Sequence, residues 1–273
     1  MASEIKITGK GSPIVERVLI IDPNAANTRL LADLLRNFSL CQTHWAQTDK
    51  RGLAMARDLD PQIIFAELKA DGVDGVAFTK ALRRSDYTTR DVPVVVITAE
   101  PTAQAIMAAR DAGVHEFLRR PFNMGDLQKR IDAVSLKKRD WVEAVAYIGP
   151  DRRRFNSADY SGPRKRRSDE GTPEMQRIGQ ALKIVKSALA AIDRDPKQVY
   201  RALKAQADDL AAIAAANPAH AALGAAARGL QAYLLEAAKV GRLTRGPIEE
   251  HNAALLAASP AEARPEDGPR KVA

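Results

Sequence analysis

Residues 61–75 read PQIIFAELKADGVDG. Ile63, Ile64, Phe65 and Ala66 form an unbroken apolar run, bounded by Pro61 in front and by Glu67 behind. A short apolar run without alternation is the pattern of a strand covered on both faces, as in a parallel sheet. Gly72 and Gly75 punctuate the loop that follows, and a helical pattern starts at Val76. In an open α/β sheet the working groups sit just past the carboxyl ends of the strands. Glu67 is therefore the first place to look for chemistry.

The same unit recurs on either side. VLII at 18–21 ends on Asp22 and is followed by Leu30, Leu31, Leu34 and Leu35 at helical spacing. Residues 39–46 suit a second, more exposed strand, and a short helix through Leu53 ends near Asp60-Pro61. Downstream of the central run come a helix over 76–84, VVVI at 94–97 ending on Thr98, and a helix over 102–112 closed by Gly113. A short fifth strand, 116–119, ends on Arg120-Pro121, and a last helix opens at Asn123, a good N-cap residue, with an expected run to about Ala146. Five alternations of strand and helix predict a doubly wound parallel α/β sheet with right-handed crossovers. Asp22, Glu67, Thr98 and Arg120 then share one edge, where two acids, a hydroxyl and a guanidinium would make a phosphate or metal site.

These pieces carry a family resemblance. VLIIDPNAANTRLL, PQIIFAELKADGVDG, VPVVVITAE and AGVHEFLRRPF, in this order and spacing, make residues 17–136 similar to the receiver domain of bacterial two-component response regulators. The resemblance covers a little under half of the chain. It implies a flavodoxin-like sheet in the order 2-1-3-4-5 and a phosphoryl switch built from a carboxylate, Mg²⁺, a hydroxyl and a lysine.

The chain departs from that pattern where the chemistry sits. The phosphoryl-accepting aspartate of the family falls on Glu67, its acidic pair falls on Asp22 and Pro23, and its lysine falls on Arg120. The switch hydroxyl is kept as Thr98 and the aromatic switch position is Phe117. Glutamate carries its carboxylate about 1.5 Å further out, and a misplacement of about 1 Å costs about 10²-fold in rate. Mg²⁺ demands near-octahedral oxygen ligands, so Asp22 and Glu67 without a carboxylate at 23 make a poor metal pair. Arginine is a planar fork that grips carboxylates in bidentate fashion. The expectation is a pseudo-receiver that ordinary aspartyl phosphorylation does not switch. Glu67 either imitates the phosphorylated form, or forms an inert pair with Arg120, or retains some phosphorylation. No cofactor is expected apart from a weakly held Mg²⁺.

Composition bounds the rest. The 273 residues are 45% hydrophobic and 5% aromatic, enough for one or two aliphatic cores. The single cysteine, Cys41, excludes an internal disulfide and a cysteine-type zinc site and suggests a reducing compartment. Neither a signal peptide nor a membrane-length apolar run appears, so a cytoplasmic protein is expected. The net charge of +8 is concentrated: residues 137–167 hold 10 Lys/Arg against 4 Asp/Glu. This segment nearly repeats itself 13 residues apart, as Tyr147-Ile-Gly-Pro-Asp-Arg152-Arg153-Arg154 and Tyr160-Ser-Gly-Pro-Arg164-Lys165-Arg166-Arg167. Gly-Pro breaks helix and strand alike, so 147–171 reads as a basic linker. It resembles short segments that follow receiver domains in some alphaproteobacterial regulators. Its arginines and tyrosines suit the phosphates and bases of a nucleic acid or a cyclic dinucleotide, although the spacing matches the RxxxR element of PilZ domains poorly. An acidic protein partner, or a plain solvated linker, fits the same composition.

Residues 172–259 are alanine-rich. Thr172-Pro173, Asp195-Pro196 and Asn217-Pro218 each pair an N-cap residue with proline at the first helical position, and Gly246-Pro247 marks a fourth start. Met175, Ile178, Leu182, Val185, Leu189 and Ile192 step by three and four, as in a coiled coil. An antiparallel α-helical bundle is predicted, suited to homodimer formation or output, between a loose leader at 1–16 and a disordered tail at 260–273. His220, in AHAALGAAARGL, faintly resembles a histidine-phosphotransfer motif, with Gly224 in place but Leu223 where lysine belongs. An ordinary surface histidine is the expectation. His44, His115 and His251 share no metal spacing, and His115 beside the fifth strand reads as structural.

No Walker loop, dinucleotide fingerprint, nucleophile elbow or basic recognition helix is present, which argues against an output enzyme and against direct DNA reading. The expectation is a bacterial signalling protein of the phosphorelay class that acts by binding a kinase, another receiver or a target protein. The alternatives are a phosphoryl relay through Glu67 or His220, and an effector of cyclic di-GMP or nucleic acid through the arginine linker.

Overall fold

Five parallel strands order the first half of the chain: β1 (Arg17–Ile21), β2 (Gln42–Ala46), β3 (Ile63–Glu67), β4 (Val94–Thr98) and β5 (Glu116–Arg119). They lie in the order β2-β1-β3-β4-β5, as expected for a doubly wound sheet that starts in its interior. The structure is a computed structural model that describes residues 5–7, 13–38, 41–137, 139–152 and 172–263. Helices α1 (Ala25–Phe38), α2 (Asp49–Leu59), α3 (Gly75–Arg84), α4 (Ala103–Asp111) and α5 (Met124–Ser135) connect and flank the strands.

Strand alternation sorts the apolar side chains to two faces. Leu19, Ile21, Ile64, Ala66, Val94 and Val96 pack with Ala56 of α2, Phe78 and Leu82 of α3 and Ala109 of α4. Val18, Ile20, Ile63, Phe65, Val95 and Ile97 pack with Leu31 and Leu35 of α1 and Leu127 and Ile131 of α5. All five residues of β3, and all five of β4, are buried. Register brings the strand ends level: Ile21 pairs with Ala66, Glu67 with Ile97, and Thr98 with Arg119.

Three local readings are corrected. The last helix of this unit ends at Ser135, not near Ala146, and a two-stranded ribbon of Trp141–Glu143 with Ile148–Pro150 follows. The leader is not loose throughout: Lys6–Ile7 pairs with Pro13–Ile14, and Val15 is buried against the α1/α5 face. The loop after Glu67 is itself a small ribbon, Lys69–Ala70 with Val73–Asp74.

The chain divides into two compact units. The first takes residues up to Val142 and Tyr147–Arg152; the second takes Glu143–Ala146 and, among described residues, 172–263. The second unit is a helical bundle. Helix α6 (Pro173–Leu189) packs on α7 (Pro196–Ala216), α7 on α8 (Ala221–Val240), α8 on α9 (Arg245–Ala258), and α9 back on α6. The proline-led starts are as read: Thr172 accepts from the Met175 N–H, Asp195 from Gln198 and Asn217 from Ala219. The α6 stripe meets Val199, Leu203, Leu210, Leu223, Leu230, Ile248 and Leu255 in one core. The segment 143–146 is tied in by a buried polar set: Gln198 Nε2 donates to Glu143 Oε1 (2.8 Å) and Gln206 Nε2 to the Glu143 carbonyl (3.1 Å). Residues 261–263, expected to be part of a free tail, form a 3-10 turn with Ala263 buried; the rest of that expectation, residues 264–273, lies outside the described set. No helix among the described residues is long and apolar enough to cross a membrane.

Candidate functional site

Asp22, Glu67, Thr98 and Arg120 converge as the strand order demands. Asp22 follows β1, Glu67 and Thr98 are the last residues of β3 and β4, and Arg120 follows β5. Asp22, Glu67 and Thr98 are buried. The guanidinium of Arg120 bridges the two acids. Its Nη1 donates to Glu67 Oε2, and its Nη2 donates to Asp22 Oδ2 at 2.9 Å. The Arg120 side chain is only 21% exposed, so this is a largely desolvated triad of two anions and one cation.

Each member is fixed by its own surroundings. Asp22 Oδ1 accepts the Asn24 N–H (2.8 Å), and the Asp22 carbonyl accepts the Trp45 indole N–H (2.6 Å). Asn24 in turn caps α1 through the Ala26 and Asn27 N–H groups. Glu67 Oε1 accepts the Leu68 N–H at 3.2 Å. The Arg120 N–H donates to the Thr98 carbonyl (2.8 Å), and the Arg120-Pro121 peptide is cis. Burial pushes the Glu67 carboxyl above its ordinary value of 4.5; Arg120 opposes that shift and the Asp22 charge adds to it.

Thr98 and Phe117, the positions expected to act as a switch, have defined surroundings. The Thr98 hydroxyl accepts the Glu100 N–H at 3.1 Å. Phe117 is half-buried against the apolar cluster that includes Ala105 and Ala109 of α4. The charge of Glu67 is thus spent on Arg120 and on the Leu68 amide.

The donor set does not suit Mg²⁺. Pro23 has no side-chain oxygen, and the two available carboxylates are both bound by the guanidinium. Among the described residues, no group of three or more His, Cys, Asp or Glu is placed to hold a metal. A hard divalent ion prefers several free oxygen ligands.

The loop beyond Glu67 was not anticipated as part of the site. Lys69 Nζ donates to Asp74 Oδ2 (2.7 Å), Asp74 Oδ1 caps α3 at the Ala77 N–H (2.9 Å), and both Asp49 oxygens accept the Asp74 N–H. Gly75 presses its Cα on the Glu67 backbone: a Cβ there would lie 2.6 Å from the Glu67 carbonyl oxygen. The Asp-Gly pair before an apolar helix was the sequence signal for this cap. Replacing Asp74 with alanine is expected to cost about 0.5–2 kcal/mol, the range of a lost N-cap, read as a lower midpoint in urea.

The surroundings of two histidines bear on how they were read. His115 is structural: its Nδ1 accepts the Val94 N–H and lies 3.2 Å from Arg83 Nη2. Burial, helped by Arg83 and Arg139, holds it well below the usual histidine range. His220 is not a surface histidine; it is buried, with Nε2 3.2 Å from Glu174 Oε1 in the turn before α8. Of the basic segment, Tyr147 and Arg152 are described. Arg153, Arg154, Tyr160, Arg164, Lys165, Arg166 and Arg167 lie outside the described residues.

Arg83 was missed. It is buried and donates to the carbonyls of Gly113, Arg90 and Val92, with its guanidinium 5.3 Å from the Trp141 ring centre. Nothing in the sequence marks an arginine in the last turn of a helix for burial.

Residues 18–132 match the family model described as response regulator receiver domain. Chemotaxis protein CheY-3 of Vibrio cholerae is 27% identical over 118 residues, which cover 43% of this chain and 90% of that protein. The KDP operon transcriptional regulatory protein KdpE of Escherichia coli is 33% identical over 114 residues, 42% of this chain and 48% of that one. Among solved structures, chemotaxis protein CheY4 of Vibrio cholerae is 21% identical and covers 44% of this chain and 98% of its own, with a TM-score of 0.41.

Proposed function

Residues 18–132 being a response-regulator receiver domain of the two-component class, we propose that this one works as a standing, phosphorylation-independent adaptor. The bridge from Arg120 to both Glu67 and Asp22 carries this reading. Two buried carboxylates repel each other and need a cation between them. Arg120 supplies that cation permanently from within the chain. A planar fork can serve both acids at once, which a single ammonium does less well. Arg120 therefore offsets one of the two negative charges from within the chain and engages both carboxylates, so that neither is free to collect a metal and a phosphoryl group. Such a domain signals by the protein partners that read its surface and catalyses no reaction of its own.

Phosphoryl labelling tests the reading. The protein is incubated with Mg²⁺ and labelled acetyl phosphate beside Glu67→Ala. The expected result is no label in either sample. Label in the wild type that disappears in Glu67→Ala would make Glu67 a working acceptor and end the adaptor reading. Label that survives Glu67→Ala and vanishes in His220→Ala would point to a relay instead; the buried His220–Glu174 contact argues for the opposite outcome.

A further inference from the structure

The connection from α4 to β5, residues 111–116, is gripped by the chain that follows the receiver domain. Residues 139–142 and 147–152 belong to the first unit, as 111–116 do, and they meet this corner along its length. Arg152 pairs with Asp111, the last residue of α4, and stacks 3.7 Å from the centre of the Tyr147 ring. Gly149, at φ +154°, lies against Gly113, at φ +90°. Arg139 Nη2 donates to the His115 carbonyl (2.6 Å) and pairs with Glu116, the first residue of β5. The segment also closes on itself. The Tyr147 hydroxyl donates to the Pro150 carbonyl (2.6 Å), and the Asp151 N–H to the Asp140 carbonyl (2.7 Å).

These contacts are of two kinds. The seat at the glycines is one of shape: a Cβ on Gly149 would lie 2.6 Å from the Gly113 Cα and 2.8 Å from the Tyr147 hydroxyl, so only glycine fits. The buried Arg83 fixes the other partner of that seat, donating twice to the Gly113 carbonyl (3.2 and 3.1 Å). Arg152–Asp111 and Arg139–Glu116 are ion pairs between partly exposed side chains, each worth little alone. Shape therefore sets where the segment sits, and weak charge pairs at its two ends decide how firmly it is latched. What lies beneath is the α4–β5 corner, and next to Glu116 stands Phe117, half-buried against the cluster that includes Ala105 and Ala109 of α4.

We propose that residues 139–142 and 147–152 form a strap over the α4–β5 corner that opens as one piece, and that α4 and Phe117 keep their present places only while it is closed. The receiver's working boundary is then Arg152 and not the end of α5. The strap stands on these contacts, whether or not the carboxylate site is ever phosphorylated.

Hydrogen–deuterium exchange of the full chain, read by mass spectrometry, tests this through local opening. Gly149→Val unseats the strap, and exchange in residues 103–119 and 147–152 is expected to rise together, about tenfold or more, as for an overpacked contact. Arg152→Ala, which leaves the seat intact, should raise both by about two- to fivefold, the worth of a cation–π contact near the surface. Arg139→Ala, at the opposite end, should loosen 147–152 as well as 103–119. Peptides of β1, β3 and the helical bundle should keep their wild-type rates in the two arginine variants. Loosening of 147–152 with 103–119 unchanged would overturn the strap, as would an Arg139→Ala chain in which 147–152 is unaffected. An equal rise in β1 and β3 in the arginine variants would make the segment ordinary core packing and overturn it too.

Discussion

An Arg120→Ala variant is expected to lose about 3–5 kcal/mol of stability in the first unit at neutral pH, the cost of leaving a buried charge without its partner. Two acids are orphaned here, Asp22 and Glu67, both buried. The loss also has a predictable pH dependence. Burial already holds the folded Glu67 pKa above 4.5. A raised carboxylate pKa gives stability that is fully present below the unfolded value and is lost as pH rises through the folded value. Removing Arg120 removes the main opposition to the rise and leaves only the Leu68 amide, so the folded pKa climbs further and the penalty is greatest at neutral pH. Acidification toward the ordinary carboxylate range should recover most of it. Arg120→Lys keeps the charge without the fork, and should lose less than alanine. Urea unfolding followed by tryptophan fluorescence reads this unit alone, because both tryptophans, Trp45 and Trp141, belong to it. A pH-independent loss would place the cost in packing and not in charge, and no loss would mean that the bridge contributes little.

The second large effect is a gain. The triple change Pro23→Asp, Glu67→Asp and Arg120→Lys restores the residue types that the receiver resemblance calls for. It adds a carboxylate, draws another back by about one C–C bond, and trades a bidentate fork for a point charge. Mg²⁺ binding by calorimetry should become measurable, and labelling by acetyl phosphate should rise at least about 10²-fold over the wild type, given the rate cost of an approximately 1 Å misplacement. The changes are coupled through shared partners, so they should not add. Arg120→Lys alone leaves Pro23 in place and should do little. If the triple variant neither binds Mg²⁺ nor takes label, the assignment of Glu67 and Pro23 to those two roles fails.

The sheet was legible because its strands are buried on both faces. VLII, IIFA and VVVI need no alternation to be recognised, and the residue after each run marks the edge where Asp22, Glu67 and Thr98 meet. The bundle was legible because proline punctuates its helix starts. What escaped the sequence is packing that depends on backbone approach or on a single buried polar group. The ribbon at 141–150 has only six paired residues, and it is held by Gly149 on Gly113 and by Trp141 near Arg83. None of these contacts has a periodic signature, so the preceding helix was read too far. His220 follows a proline in a first turn, a position that usually faces water, yet here it packs beside Glu174. Glu67 and Arg120 were each visible as departures from a pattern. That one guanidinium also reaches Asp22 required the distances.

Titration of the Trp141→Phe variant with Mg²⁺ and beryllofluoride, followed by Trp45 fluorescence, tests the standing bridge most directly. The Trp45 indole N–H is bonded to the Asp22 carbonyl, so it senses any rearrangement at the acids. A site held by Arg120 predicts a flat trace through millimolar Mg²⁺ with or without the phosphoryl analogue. A saturable change in fluorescence would show that the carboxylates leave Arg120 for a metal, and would contradict the account.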